Sequence, residues 1–113
     1  TLPRSDYLGM LKNCGVLLGN SSSGMIEASY FQIPVVNIGI RQKNRERGKN
    51  VIDINASWKG LVQAAIRRAL KIKKSKKSAF DFTFGKGNSA QKIVAHLENI
   101  SLGKDLIQKE LSY

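Results

Sequence analysis

The stretch Gly19-Asn20-Ser21-Ser22-Ser23-Gly24-Met25-Ile26-Glu27 decides how the rest of the chain is read. It follows Val16-Leu17-Leu18, an apolar run short enough for a buried strand, and leads into Met25 to Phe31, a segment that turns as a helix. A loop at such a junction meets backbone N–H groups without internal partners and the positive end of the helix dipole. An anion is the natural guest there. The three serines offer hydroxyl donors and an N-cap, while Gly19 and Gly24 let backbone approach a ligand with no Cβ in the way. Glu27, one helical turn in, is either a capping carboxylate reaching back to the loop or an acceptor for ligand hydroxyls. Spacing alone leaves both open.

Upstream, Tyr7, Met10, Leu11 and Cys14 recur at i, i+3, i+4, i+7, the spacing of a helix face, with Pro3 in its first turn and Gly15 at its end. Downstream, Pro34 disfavours helical geometry at Ile33, so the second helix stops near Gln32. Pro34-Val35-Val36-Asn37-Ile38 is then a second buried strand. Two apolar strands separated by a helix make a β-α-β unit, normally parallel and right-handed. The fold class expected is therefore α/β, a Rossmann-like parallel sheet flanked by helices.

Gly39 ends the second strand, and Arg41 to Asn50 is a polar loop at the carboxyl edge of the sheet, beside the serine loop, where open α/β sheets bind ligands. Arg41, Lys43, Arg45, Arg47 and Lys49 face only Glu46, and such a loop concentrates positive potential on a phosphate-bearing ligand. Arg41 stands nearest the strand end; Lys43, Arg45 and Lys49 read as surface.

Val51-Ile52-Asp53-Ile54 is a third strand candidate. Asn55 or Ser57 is expected to cap a helix carrying Trp58, Leu61, Val62, Ala65, Ile66, Ala69 and Leu70 on one face, with Trp58 as a packing anchor. Lys71 to Ser78 is polar and exposed, and the alternating Phe80, Phe82 and Phe84 suit a short extended segment covering the core. Gly85-Lys86-Gly87-Asn88-Ser89 reads as a tight turn and cap rather than a phosphate loop, since a lone G-x-G is a weak signal. It enters a helix with Ala90, Ile93, Val94, Leu97 and Ile100 on one face; Leu102 to Tyr113 is a final amphipathic piece. His96 has no carboxylate or serine partner that spacing identifies.

The 113 residues amount to one domain, 42% hydrophobic. No apolar run approaches the about 18 residues of a membrane span, and no signal sequence opens the chain. The start at Thr1-Leu2-Pro3-Arg4, without Met, suggests a piece of a longer polypeptide. Cys14 alone excludes an internal disulfide and suits a reducing, cytoplasmic setting. A net charge of +11, from 19 Lys and Arg against 8 Asp and Glu, raises the question of nucleic acid. The basic clusters, however, lack interleaved aromatics that stack bases, and Lys71, Lys73, Lys74, Lys76 and Lys77 read as a solvated helix end. No metal-ligand spacing occurs.

In order along the chain, Gly19-Asn20-Ser21-Ser22-Ser23-Gly24-Met25-Ile26-Glu27, Pro34-Val35-Val36-Asn37-Ile38-Gly39-Ile40-Arg41-Gln42, Arg45-Glu46-Arg47-Gly48-Lys49-Asn50-Val51 and Gly85-Lys86-Gly87-Asn88 closely resemble the C-terminal part of hydrolysing UDP-N-acetylglucosamine 2-epimerases of the sialic-acid type. The resemblance runs from about Leu2 to Leu97. It implies a single incomplete domain, residues 1–113, from the C-terminal half of a two-domain GT-B fold with the nucleotide sugar in the cleft between halves. Members of the family release UDP by elimination to a glycal-like intermediate and add water to give N-acetylmannosamine, without metal or redox cofactor.

Carried over by position, Ser21 and Ser22 would hold the diphosphate and Gly24 would permit close approach. Glu27 would bind the ribose hydroxyls and Arg41 would contact the nucleotide. The family's proton-transfer acids and histidine lie upstream of Thr1, so no catalytic residue is expected here and this piece alone should be inactive. Expected partners are UDP or a UDP-sugar, the missing N-terminal domain and a homo-oligomer, with neither nucleic acid nor membrane. Lys86 departs from the acidic residue often found in relatives, and the Lys-rich segment 71–77 has no counterpart. A GT-B glycosyltransferase and a basic nucleic-acid-binding module are the alternative readings.

Overall fold

The computed structural model describes residues 2–55, 58–75 and 80–103. Three short runs, Leu17–Gly19 (β1), Val35–Ile38 (β2) and Val51–Ile54 (β3), form one parallel sheet in the order β1-β2-β3. Leu17 pairs with Val35, and Val35 with Val51. Side chains alternate between the two faces of a strand, so neighbouring residues serve different cores. Val35 joins Leu11, Met25, Ala28 and Ile33 under helix α1 (Arg4–Asn13) and the short helix α2 (Glu27–Tyr30). Val36, one residue on, joins Ile54, Ala65 and Ala69 under α3 (Lys59–Lys74). Both faces are covered, and the strands therefore read as continuous apolar runs. The α/β class and the parallel β-α-β pairing are as expected.

Several local expectations change. Met10 and Leu70, expected on the apolar faces of their helices, are 63% and 42% exposed, because each face is wider than the sheet surface that covers it. The segment Met25 to Phe31 is not one helix: a 3-10 turn, Ser22–Gly24, comes first, and only Glu27–Tyr30 is α-helical. Pro34 keeps Ile33 out of helical geometry, and the chain has already turned out at Gln32, with a positive φ of 55°.

Trp58 is no core anchor. The helix starts one residue later, so Trp58 occupies the N-cap with extended backbone and is 64% exposed. Its ring folds back over Gly60, where an added Cβ would collide with Cζ3. No side chain caps this helix, and Ser57 lies outside the described residues.

Phe80, Phe82 and Phe84 form no strand. This return segment is fastened by Asp81, whose carbonyl accepts from Ser29 Oγ at 2.7 Å, while Phe84 is 41% exposed. Lys86 lies over the Phe82 ring, 5.0 Å from its centroid.

The last described helix, α4 (Ser89–Asn99), forms where its periodicity predicts, yet none of it is buried: Ile93, Val94 and Leu97 are 58%, 54% and 63% exposed. Leu102 and Gly103 are described; the rest of the terminal piece lies outside the described residues.

The link between β2 and β3 is a bare chain. Parallel neighbours need a crossover of about a dozen residues, usually helical; residues 39–50 make it with turns alone. Gly39, with φ of 83°, turns the chain off the carboxyl end of β2. At the far end, Asn50 is fully buried beside the amino end of β2, its carbonyl accepting from Val35 N at 2.8 Å and its Nδ2 donating to Ile33 O at 2.9 Å. The five cations are thus strung along a crossing rather than gathered at one edge. Arg41 and Lys43 lie by the carboxyl end of β2, and Lys49 borders Asn50 at the amino end.

Candidate functional site

The serine loop leaves β1 at Gly19 and the basic loop leaves β2 at Ile38, adjacent strand ends on one edge of the sheet. A buried amide joins them: Gln42, 3% exposed, donates from Nε2 to Asn20 O at 2.7 Å. Arg47 locks the other side of this joint, with Nη2 donating to Gln42 O and Nη1 bonded to Asp53 Oδ1. Asp53 Oδ1 also accepts from the buried Asn37 Nδ2 at 2.7 Å. One guanidinium is therefore structural.

Inside the serine loop, the backbone amides of Ser23 to Ile26 already have partners. Gly24 N reaches Ser21 O at 3.1 Å, Met25 N and Ile26 N reach Ser22 O, and Ser23 N reaches Ser21 Oγ at 3.3 Å. The short α2 contributes little dipole, so an anion here would rest on the serine hydroxyls and on the amides that open the loop rather than on a helix end. Ser21 Oγ accepts from Ser23 N, and Ser23 Oγ accepts from the Tyr7 hydroxyl at 2.6 Å. A hydroxyl that accepts keeps its own proton to donate. Ser21 is exposed and Ser22 half-buried.

Gly24 is buried for a reason internal to the fold: a Cβ there would stand 2.9 Å from Val35 Cγ1. Arg41 is exposed beside Gln42. Glu27 makes no capping bond; α2 is capped by Ile26 without a side-chain partner. Its carboxylate faces Arg4 Nη2 at 3.8 Å instead, with side-chain exposures of 25% and 78%. Both line a cleft of about 310 Å³ whose walls include Ile26, Tyr30, Phe84 and Gly87. Glu27, one turn beyond the serine loop in the chain, thus lines an aromatic-walled cleft.

One carboxylate is perturbed. The Thr83 hydroxyl, 2.6 Å from Asp81 Oδ1, holds the Asp81 pKa below its ordinary 3.8, helped by the Lys49 amide and charge and opposed by partial burial. Among the described residues no group of three His, Cys, Asp or Glu is placed to hold a metal ion, and no helix is long and apolar enough to cross a membrane. His96 lies exposed on α4.

Sequence reading missed Tyr7 and Gln42. Tyr7 was assigned to a core-facing stripe, and its ring does pack on that core while its hydroxyl holds Ser23. Nothing in the spacing marks Gln42. The Asn37–Asp53 contact was missed as well: each strand carries one polar residue in an apolar run, but only the register aligns them.

A three-stranded parallel sheet covered by helices on both faces, with two loops tied together at adjacent strand ends, places the chain in the Rossmann-like α/β class. The family model described as UDP-N-acetylglucosamine 2-epimerase matches residues 1–98, and the chain belongs to that family. It is 38% identical over 112 residues to the UDP-N,N'-diacetylbacillosamine 2-epimerase (hydrolyzing) of Legionella pneumophila, covering 99% of this chain and 29% of that protein. It is 49% identical over 59 residues to the polysialic acid biosynthesis protein P7 of Escherichia coli, covering 51% of this chain and 15% of that protein. With the GDP/UDP-N,N'-diacetylbacillosamine 2-epimerase (hydrolyzing) of Campylobacter jejuni it shares 46% over 52 residues, 46% of this chain and 14% of that protein. The chain spans under a third of the length of each of these relatives.

Proposed function

We propose that this chain is the nucleotide-holding part of a hydrolysing UDP-N-acetylglucosamine 2-epimerase, the C-terminal half of a GT-B fold that is completed by an N-terminal domain. Membership of the epimerase family supports this, as do the uncovered apolar stripe of α4 and β1 at the sheet edge, surfaces that a larger fold would bury.

The single observation that carries the site reading is the Gln42–Asn20 bond, which fixes the turn bearing Arg41 to the loop bearing Ser21 and Ser22. In this reading the serine hydroxyls donate to the diphosphate. Arg41 adds charge to it, and Glu27 accepts from the ribose hydroxyls. Gly24 keeps the loop seated on Val35 so that the serines face outward.

The reaction proceeds by loss of the C2 proton and cleavage of the C1–O bond to UDP, leaving a 2-acetamidoglycal. Water then adds hydroxyl at C1 and hydrogen at C2 from the opposite face, giving N-acetylmannosamine. Holding the leaving diphosphate in a cationic, hydroxyl-lined pocket stabilises the charge that develops as the C–O bond breaks. The acid and base belong to the other domain, so this part alone is inactive. The product suits the synthesis of sialic acids or related surface sugars in the cytoplasm, by an enzyme assembled as a homo-oligomer.

The test is kinetic. In the full-length enzyme Ser21→Ala with Ser22→Ala raises KM for UDP-N-acetylglucosamine and lowers affinity for UDP by about tenfold or more. An unchanged UDP affinity and KM overturn the assignment.

A further inference from the structure

We propose that Arg4 selects the base of the bound nucleotide, favouring a keto edge over an amino edge: uracil over cytosine among pyrimidines, guanine over adenine among purines. The inference rests on the diphosphate reading above and extends that site to its far end.

Arg4 opens α1, and its guanidinium lies 3.8 Å from the Glu27 carboxylate across the mouth of the same cleft. At 78% side-chain exposure it is held by no packing, and an exposed pair at this distance adds little to stability. Fold stability therefore does not account for an arginine here. A ribose whose hydroxyls rest on Glu27 carries its base within reach of a long side chain whose tip already lies beside that carboxylate. The cleft adds flat apolar walls, Tyr30, Phe31 and Phe84, with the Tyr30 and Phe31 rings edge to face at 5.2 Å. Such walls suit any base and distinguish none.

Discrimination must come from the polar group at the rim, and Arg4 is donor-only, with five N–H groups and no acceptor. Uracil presents O4 and guanine presents O6 beside N7, all acceptors. Cytosine and adenine replace the keto oxygen with an amino group, so donor meets donor. A guanidinium drawn to that edge beside Glu27 rewards the keto base and leaves the amino base with an unmatched N–H.

Isothermal titration of the full-length protein with UDP, CDP, GDP, ADP and inorganic pyrophosphate tests this, in the native enzyme and in Arg4→Gln and Arg4→Lys. The native enzyme is expected to prefer UDP to CDP, and GDP to ADP, by about tenfold. Arg4→Gln, whose amide both donates and accepts, brings each pair within about threefold, while pyrophosphate binds as before. Arg4→Lys keeps charge without the planar fork and falls between. A base ranking unchanged in Arg4→Gln overturns the proposal and leaves the diphosphate reading standing. Failure of the native enzyme to bind any nucleotide or pyrophosphate overturns both.

Discussion

Tyr7, on the first helix, donates its hydroxyl to Ser23 Oγ across 2.6 Å, so the ring that packs under the sheet also steadies the serine loop. Tyr7→Phe keeps the packing and removes the bond. It should lower the unfolding free energy by about 1 kcal/mol and raise KM for the nucleotide sugar severalfold with kcat little changed. Urea denaturation and steady-state kinetics read the two effects separately.

Gln42 joins the two loops from a buried position, 2.7 Å from Asn20 O. Gln42→Ala should cost roughly 1–3 kcal/mol, because truncation opens a gap and cuts the side-chain bridge between the loops. UDP affinity should fall in the same variant even though Gln42 touches no ligand in this reading. Thermal shift with and without UDP checks both.

Gly24→Ala should destabilise by about 1–3 kcal/mol, since the new methyl meets Val35 Cγ1 at 2.9 Å. Val35→Ala removes that obstacle. The double variant Gly24→Ala with Val35→Ala should therefore be more stable than the sum of the single changes predicts, a positive coupling measurable in a double-mutant cycle.

Asp81 ties the return segment to Ser29 and Thr83, and the Thr83 hydroxyl keeps its pKa below 3.8. A depressed native pKa means that folding favours the ionised form. That stabilisation is complete above the unfolded value, about pH 4, and is lost as pH falls through the native value. Asp81→Asn should lower stability near pH 7 and flatten the loss between about pH 4 and pH 2. Denaturant midpoints across that range for both proteins decide it.

The strands and α3 were legible because their signals are dense: Val35-Val36 and Val51-Ile52 form apolar runs, and Leu61, Val62, Ala65 and Ala69 repeat at helical spacing. Trp58 was misplaced because a stripe gives a face and not a start, and one residue of delay at the N-cap moves a side chain from core to solvent. The short α2 was overread for the same reason, since apolar spacing from Met25 to Phe31 does not reveal that Ser21 and Ser22 carbonyls draw the amides of Gly24 to Ile26 into a tighter turn. The basic loop taught a different lesson. Alternating cations looked like one electrostatic feature, and only the register, with Val35 opposite Val51, places its two ends at opposite edges of the sheet.

The unsupported chain between β2 and β3 has a consequence for how the protein comes apart. With no helix of its own, it keeps its course through side chains along it, Gln42 on Asn20, Arg47 on Asp53 and Asn50 on Ile33. None of these grips survives without the strands beneath it. Binding competence and the third strand should consequently vanish together in one denaturation event, so that the pocket has no melting point separate from that of the sheet.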